Sequence, residues 1–109
     1  MGIRFLGTGR YLPELTISNQ DFENMVETTD EWITTRTGIK TRHITNGEYN
    51  FQLGTKAAKE AFDNAGLKPE EIDTVVGSTI SHDFSYPSLS CMVWKELGIE
   101  SAPCFDVSA

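Results

Sequence analysis

At 109 residues the chain has room for one small domain, and its 39% hydrophobic and 23% charged residues are ordinary for a globular protein. Nine basic residues against 16 acidic ones give a formal charge of −7, which argues against a nucleic-acid-binding face, since that needs a basic surface. With no apolar run near the ~20 residues that span a bilayer, and no secretory signal in Met1-Gly2-Ile3-Arg4-Phe5, a soluble cytoplasmic chain is expected.

Residues 3–8 alternate apolar and polar and predict a first strand, broken by Gly9-Arg10-Tyr11-Leu12-Pro13. Ser18-x-x-Asp21, ahead of Phe22, Met25 and Val26, reads as a capped short helix. Thr28-x-x-Glu31 signals a second start at once, with Trp32 and Ile33 in the helix and Gly38 as its stop. Residues 41–50, with Asn46-Gly47, read as a polar loop. Over residues 51–65 Leu53, Ala57, Ala58, Ala61, Phe62 and Ala65 recur at helical spacing, and Gly66 ends the run. Pro69-Glu70-Glu71 makes a turn, and the β-branched stretch 72–80 predicts a buried strand. A helix starting near Pro87 carries Leu89, Met92, Val93 and Leu97 on one side and stops at Gly98; residues 102–107 predict a third strand.

Strands alternating with helices imply an α/β fold with a largely parallel sheet. Such a sheet buries its strands and carries its functional groups at their carboxyl ends. The chain stops at Val107-Ser108-Ala109, at a buried strand with no turn residue, polar tail or following helix, so it is expected to be a piece of a longer polypeptide.

Most residues with reactive side chains have a structural reading. Cys91 and Cys104 lack metal-ligand spacing and are too few for a disulfide framework, so two free thiols are expected. Cys104 sits early in a strand beside Pro103, with no helix start or basic neighbour to favour thiolate, and Cys91 lies amid Leu89, Met92 and Val93; both read as core thiols. His43 and His82 have no evident partner that would tune a general base. Gly7-x-Gly9 lacks the third glycine and the immediate helix of a dinucleotide fingerprint, and Pro13 forbids that helix, so a tight turn is expected.

Thr28, Trp32 and Arg36 are different. At i, i+4 and i+8 they would fall along one helical stripe that offers a hydroxyl, a flat aromatic face and a planar cation. That set suits an adenine ring with phosphates attached, because Trp stacks bases and Arg binds phosphate bidentately. Lys40 and Arg42 add positive charge nearby. Spacing alone also allows Trp32 to anchor a core, Arg36 to be solvated and Thr28 to cap the helix.

Several blocks in order resemble the β-ketoacyl-acyl-carrier-protein synthase III family: Gly7-Thr8-Gly9-Arg10-Tyr11-Leu12-Pro13, Thr28-Thr29-Asp30-Glu31-Trp32-Ile33, and Thr35-Arg36-Thr37-Gly38-Ile39 with Arg42-His43. Ala65-Gly66-Leu67, Tyr86-Pro87-Ser88 and Phe105-Asp106-Val107-Ser108-Ala109 continue the match. The resemblance implies a thiolase-like fold, the amino-terminal portion of a layered α-β-α-β-α architecture, in a much longer homodimeric enzyme. All of residues 1–109 would then be the amino-terminal part of one thiolase-fold domain, ending before the catalytic cysteine.

In that family the Phe-Asp-Val strand runs on to the nucleophilic cysteine, which is expected two positions past Ala109. The family's catalytic His and Asn lie further on, so no catalytic residue is expected within this chain, and the 109 residues alone are expected to be inactive. The matching Thr28, Trp32 and Arg36 would contact the nucleotide end of coenzyme A. Tyr86 matches an aromatic position that reaches across the dimer to line the partner's acyl pocket, although a loop aromatic covering its own core remains open. The implied partners are acyl-coenzyme A and acyl carrier protein, with acyl-coenzyme A a substrate and no metal or cofactor required. Neither nucleic acid nor a membrane is expected as a partner. Two other activities stay open: a related acyltransferase of secondary metabolism, and a non-catalytic coenzyme A binding module.

Overall fold

The computed structural model describes residues 2–108; Ala109, which closes the last of the family-like blocks, lies outside them. The chain divides into two compact units, residues 12–47 and the residues that flank them, up to 11 and from 48.

The inner unit is β1 (Leu15–Ser18), α1 (Asn19–Glu23), α2 (Asp30–Thr37) and β2 (Thr41–Ile44). The expected capping box is present: Ser18 Oγ accepts from the Asp21 amide at 3.1 Å while the Ser18 amide donates to Asp21 Oδ2 at 2.8 Å. α1 ends at Glu23, so Met25 and Val26 fall outside it, at 65% and 52% exposed. The second cap sits one residue later than its sequence signal. Thr29, not Thr28, accepts from the Trp32 amide, and Gly38 closes α2 in the left-handed region at φ 72°.

β1 and β2 pair antiparallel, Leu15 opposite Ile44 and Ser18 opposite Thr41, so residues 41–44, expected as the start of a polar loop, form a strand. A buried polar residue ties this unit together. Asn19 Nδ2 donates to Asp30 Oδ1 at 2.7 Å and to the Ile39 carbonyl at 2.8 Å, while Asn19 Oδ1 accepts from Arg42 Nη2 at 2.6 Å. Asn19 is 2% exposed, so these bonds satisfy groups that water cannot reach.

The flanking unit contains α3 (Asn50–Ala65), β3 (Val75–Ser78), α4 (Leu89–Glu96) and β4 (Cys104–Val107). β3 and β4 pair parallel, Val75 opposite Cys104 and Ser78 opposite Val107. Val93, Leu97, Ile99 and Ala102 form the buried core, with Phe51, Phe62 and Val75 packed against it. Only one face of the strand pair is covered. Val76 and Phe105, pointing the other way, are 57% and 50% exposed, so the fully buried strand expected for residues 72–80 is half-buried here.

Two carboxylates hold the helix starts. Asp83 accepts from the Asn50 and Phe51 amides at 2.7 and 2.9 Å, and Asp106 from the Ser90 and Leu89 amides at 2.8 Å each. Residues 3–8 do not pair as a strand among the described residues, and Ile3 and Phe5 are 93% and 87% exposed. Alternation of residue types supplies a pleat but not a partner for it. The neighbouring glycines are explained by close approach rather than by a tight turn. A Cβ on Gly9 would stand 2.1 Å from the Ala57 carbonyl oxygen, and one on Gly7 2.7 Å from the Ala65 amide nitrogen, so the backbone here lies directly on the alanine face of α3. No helix of the described residues is long and apolar enough to cross a membrane.

Candidate functional site

α2 carries two of the three residues singled out by spacing, and the third precedes it. Trp32 projects from its first turn at 55% exposure, so it anchors no core in its unit. The Arg36 guanidinium carbon lies 4.9 Å from the centre of the Trp32 ring, on the next turn of the same helix. Thr28 is outside the helix, half-buried, and lines a hollow of about 250 Å³ together with Glu27, Thr29 and Trp32. Because Thr29 takes the capping role, the Thr28 hydroxyl is left without that duty. The arrangement is an exposed indole with a hydroxyl at one end and a cation against its face. It can stack a planar heterocycle and pair with an anion at the Arg36 side, while the Glu27 carboxylate repels anions from the hollow itself.

Arg42 supplies no free charge to this surface. Its guanidinium is spent on Asn19, on the Ser18 carbonyl at 3.3 Å and on the Phe22 ring, whose centre is 4.4 Å away. Lys40 remains exposed. His43 Nδ1 lies 2.6 Å from the Pro13 carbonyl oxygen; a carbonyl only accepts, so that nitrogen carries the proton and the ring has a structural bond.

In the flanking unit Tyr86 is 89% exposed, so it covers no core of its own. His82 Nε2 is 3.5 Å from Asp106 Oδ2. Burial acts to raise the Asp106 carboxyl, but hydrogen bonds from Ser90 and Leu89 and the nearby His82 outweigh it and hold the group below its ordinary value. Cys91 and Cys104, read from the sequence as separate core thiols, are instead neighbours with their sulfurs 2.7 Å apart. Nothing in their spacing signals this, since a helix residue and a strand residue meet only through packing. The role of Asp106 was likewise invisible, because its two partners lie 16 and 17 positions earlier.

No family model matches the chain. Curated proteins do. A β-ketoacyl-acyl-carrier-protein synthase III of Clostridium acetobutylicum is 44% identical over 107 residues, which is 98% of this chain and 33% of that protein. The 3-oxoacyl-acyl-carrier-protein synthase III of Aquifex aeolicus superposes with a TM-score of 0.92 at 44% identity, covering 99% of this chain and 35% of that one. A priming β-ketosynthase of a polyketide pathway superposes at 0.89 with 41% identity, over 97% of this chain and 32% of its own. The chain therefore spans about one third of the length of the curated relatives it matches. The resemblance read from its sequence blocks holds along the whole of it, and the fold is that of the corresponding part of these thiolase-like condensing enzymes.

Proposed function

We propose that this chain is the amino-terminal part of a cytoplasmic, homodimeric β-ketoacyl-acyl-carrier-protein synthase III. The enzyme would condense an acyl-coenzyme A, acetyl-coenzyme A first of all, with malonyl-acyl-carrier protein and so start fatty-acid synthesis. The observation that carries this reading is the nearly complete match of the chain to curated proteins of that name.

The chemistry divides between this chain and the rest of the polypeptide. A cysteine two positions past Ala109 takes the acyl group as a thioester, and the malonyl group loses carbon dioxide to give the carbanion that attacks it. A His and an Asn further on hold the enolate oxygen. The 109 residues alone therefore have no condensing activity, and they need neither metal nor cofactor. Their part is binding. Trp32 stacks the adenine of acyl-coenzyme A, Arg36 pairs with its phosphates, and Thr28 offers a hydroxyl at the edge of the ring. The repulsion from Glu27 supports placing the phosphates on the Arg36 side. Tyr86, uncovered in its own unit, lines the acyl pocket of the partner subunit. Carrier protein is acidic, and this chain at −7 repels it, so docking falls mainly to the remaining sequence.

The whole natural polypeptide is to be incubated with radiolabelled acetyl-coenzyme A and malonyl-acyl-carrier protein. The expected products are 3-oxoacyl-carrier protein and an equal amount of carbon dioxide, with acyl label on the cysteine past Ala109. Absence of both product and acyl-enzyme would refute the reading, and bound coenzyme A without turnover would favour a binding module. The likeness to a polyketide priming ketosynthase supports a second reading, a starter-loading enzyme of secondary metabolism. A strong preference for another starter or another acceptor in the same assay would select it.

A further inference from the structure

The third residue of α4 and the first of β4 are both cysteines, and packing of the helix on the strand sets their sulfurs 2.7 Å apart. Unbonded heavy atoms settle at roughly 3.5–4.0 Å, whereas a disulfide spans about 2.05 Å. Both residues are half-buried, free thiols. We propose that Cys91 and Cys104 are a redox modification site, a thiol pair that closes reversibly to a disulfide by exchange with small disulfides of the glutathione class. Neither Trp32, Arg36 nor any residue beyond the chain is needed for it, so it stands apart from the condensing chemistry.

The two sulfurs have distinct roles. Cys91 lies in the first turn of an eight-residue helix, where the amide dipoles favour a negative charge. Hydrogen bonds from the Cys104 thiol and then from Ser88 hold it below the ordinary thiol range, against burial and the Asp106 charge. Cys104 is pushed up to about 11 by its hydrogen bond to Cys91, by burial and by the negative charges of Cys91 and Asp106. Cys104 therefore keeps the shared proton, and Cys91 is the attacking thiolate.

Cys91 Sγ attacks one sulfur of the small disulfide, forms a mixed disulfide and expels the other half as a thiolate. Cys104 Sγ then attacks Cys91 Sγ, gives up its proton and expels the second thiolate. The protein pair is oxidised by two electrons, the small disulfide is reduced to two thiols, and the two cysteine protons end on them. The resolving sulfur already stands beside the attacked one, so the mixed disulfide is short-lived. Disulfides of this kind in reducing compartments are usually transient and sensory, and this one would fasten the start of α4 to β4.

The test equilibrates the whole natural polypeptide in glutathione buffers of increasing oxidised fraction. Free thiols are trapped with N-ethylmaleimide and the protein is digested with trypsin. Cleavage after Lys95 separates the two cysteines, so the bond appears as a cross-linked peptide pair, lighter by two hydrogens than the separate peptides. The expected result is a cross-link that rises with the oxidised fraction until it dominates and disappears with dithiothreitol. In Cys104→Ser, checked for native circular dichroism, a glutathione adduct should accumulate on Cys91 instead. Maleimide on both cysteines throughout, or an unresolved glutathione adduct on the unmodified protein, would overturn the proposal. A folded Cys104→Ser protein that takes no adduct would overturn the role given to Cys91.

Discussion

The Arg36 guanidinium covers the exposed face of Trp32, 4.9 Å from the ring centre, one helical turn along α2. The pair is pre-organised, because helix geometry holds a cation against an aromatic plane before any ligand arrives. Stacking a base on an aromatic ring is worth about 1–3 kcal/mol by analogy with single-stranded nucleic acids, and a charged hydrogen bond about 1.5–3 kcal/mol. In the full enzyme, Trp32→Ala and Arg36→Ala should each raise the KM for acyl-coenzyme A about ten-fold or more. Turnover of a short acyl-pantetheine thioester, which lacks the nucleotide, should hardly change. Equal losses on both substrates would mean that α2 matters for folding rather than for the ligand.

Because Trp32 and Arg36 touch, their effects should not add. The double substitution should cost less than the sum of the singles, by about 0.5–1 kcal/mol, the worth of an exposed cation–aromatic contact. A double-mutant cycle on acyl-coenzyme A affinity measures this directly, and strict additivity would count against a shared binding surface.

Asn19 is the test of what holds the inner unit. Its side chain serves Asp30, the Ile39 carbonyl and Arg42 while itself almost fully buried. Asn19→Ala leaves a carboxylate and a guanidinium short of partners, which should cost about 2–3 kcal/mol. Asn19→Leu, similar in size, should not recover it. The denaturant midpoint reports both, and full stability in Asn19→Leu would show that filling space suffices.

How far the sequence reveals such features depends on whether the cause is local. The capping box at Ser18 and the glycine stops at Gly38 and Gly66 are set by neighbours within a turn, and all three stand where they were expected. Parallel pairing of the two apolar runs was also legible, since each carries β-branched or aromatic residues in a strand pattern. β1 and β2, by contrast, are four residues each, Leu-Thr-Ile-Ser and Thr-Arg-His-Ile, too short for alternation to stand out from the flanking loops. At Thr28-Thr29 two equivalent side chains compete for one cap, and only the backbone path decides between them. The cysteine pair and the Asp106 contacts depend on how α4 lands on the strands, which no local pattern encodes.

Gly9 yields a prediction of opposite character to a lost bond. A methyl group there would meet the Ala57 carbonyl oxygen at 2.1 Å and the Ala61 amide nitrogen at 2.3 Å, both backbone atoms of α3 that cannot swing aside. Gly9→Ala should therefore lower stability by about 1–3 kcal/mol or more through overpacking. Gly2→Ala, with nothing within 4 Å, should change it by less than about 0.5 kcal/mol. Thermal midpoints of the two variants make the comparison, and equal values would mean that the segment is not seated on α3.

Asp106 links folding to pH. Its carboxylate accepts from the first two amides of α4, so it acts both as a hydrogen-bond partner for the helix and as a charge at the positive end of its dipole. Burial opposes the charge, but the Ser90, Leu89 and His82 interactions prevail and the carboxyl is held below its usual value. A depressed acid stabilises the fold above its unfolded pKa, ~3.9 for aspartate, and that contribution drains away as the pH falls through the lower folded value. Asp106→Asn retains one acceptor but turns an amide donor toward the helix start. At neutral pH it should cost about 1–2 kcal/mol, the range of a capping contact with a dipole term. The gap between wild type and variant should stay level from about pH 7 to pH 5 and close progressively below about pH 4. Because the Ser90 and Leu89 hydrogen bonds outweigh the His82 contribution, a His82→Gln background should leave the acid limb of the difference in place. Urea unfolding of the full polypeptide at a series of pH values measures the gap, and an offset that stayed constant down to pH 3 would show that Asp106 holds α4 by shape rather than by charge.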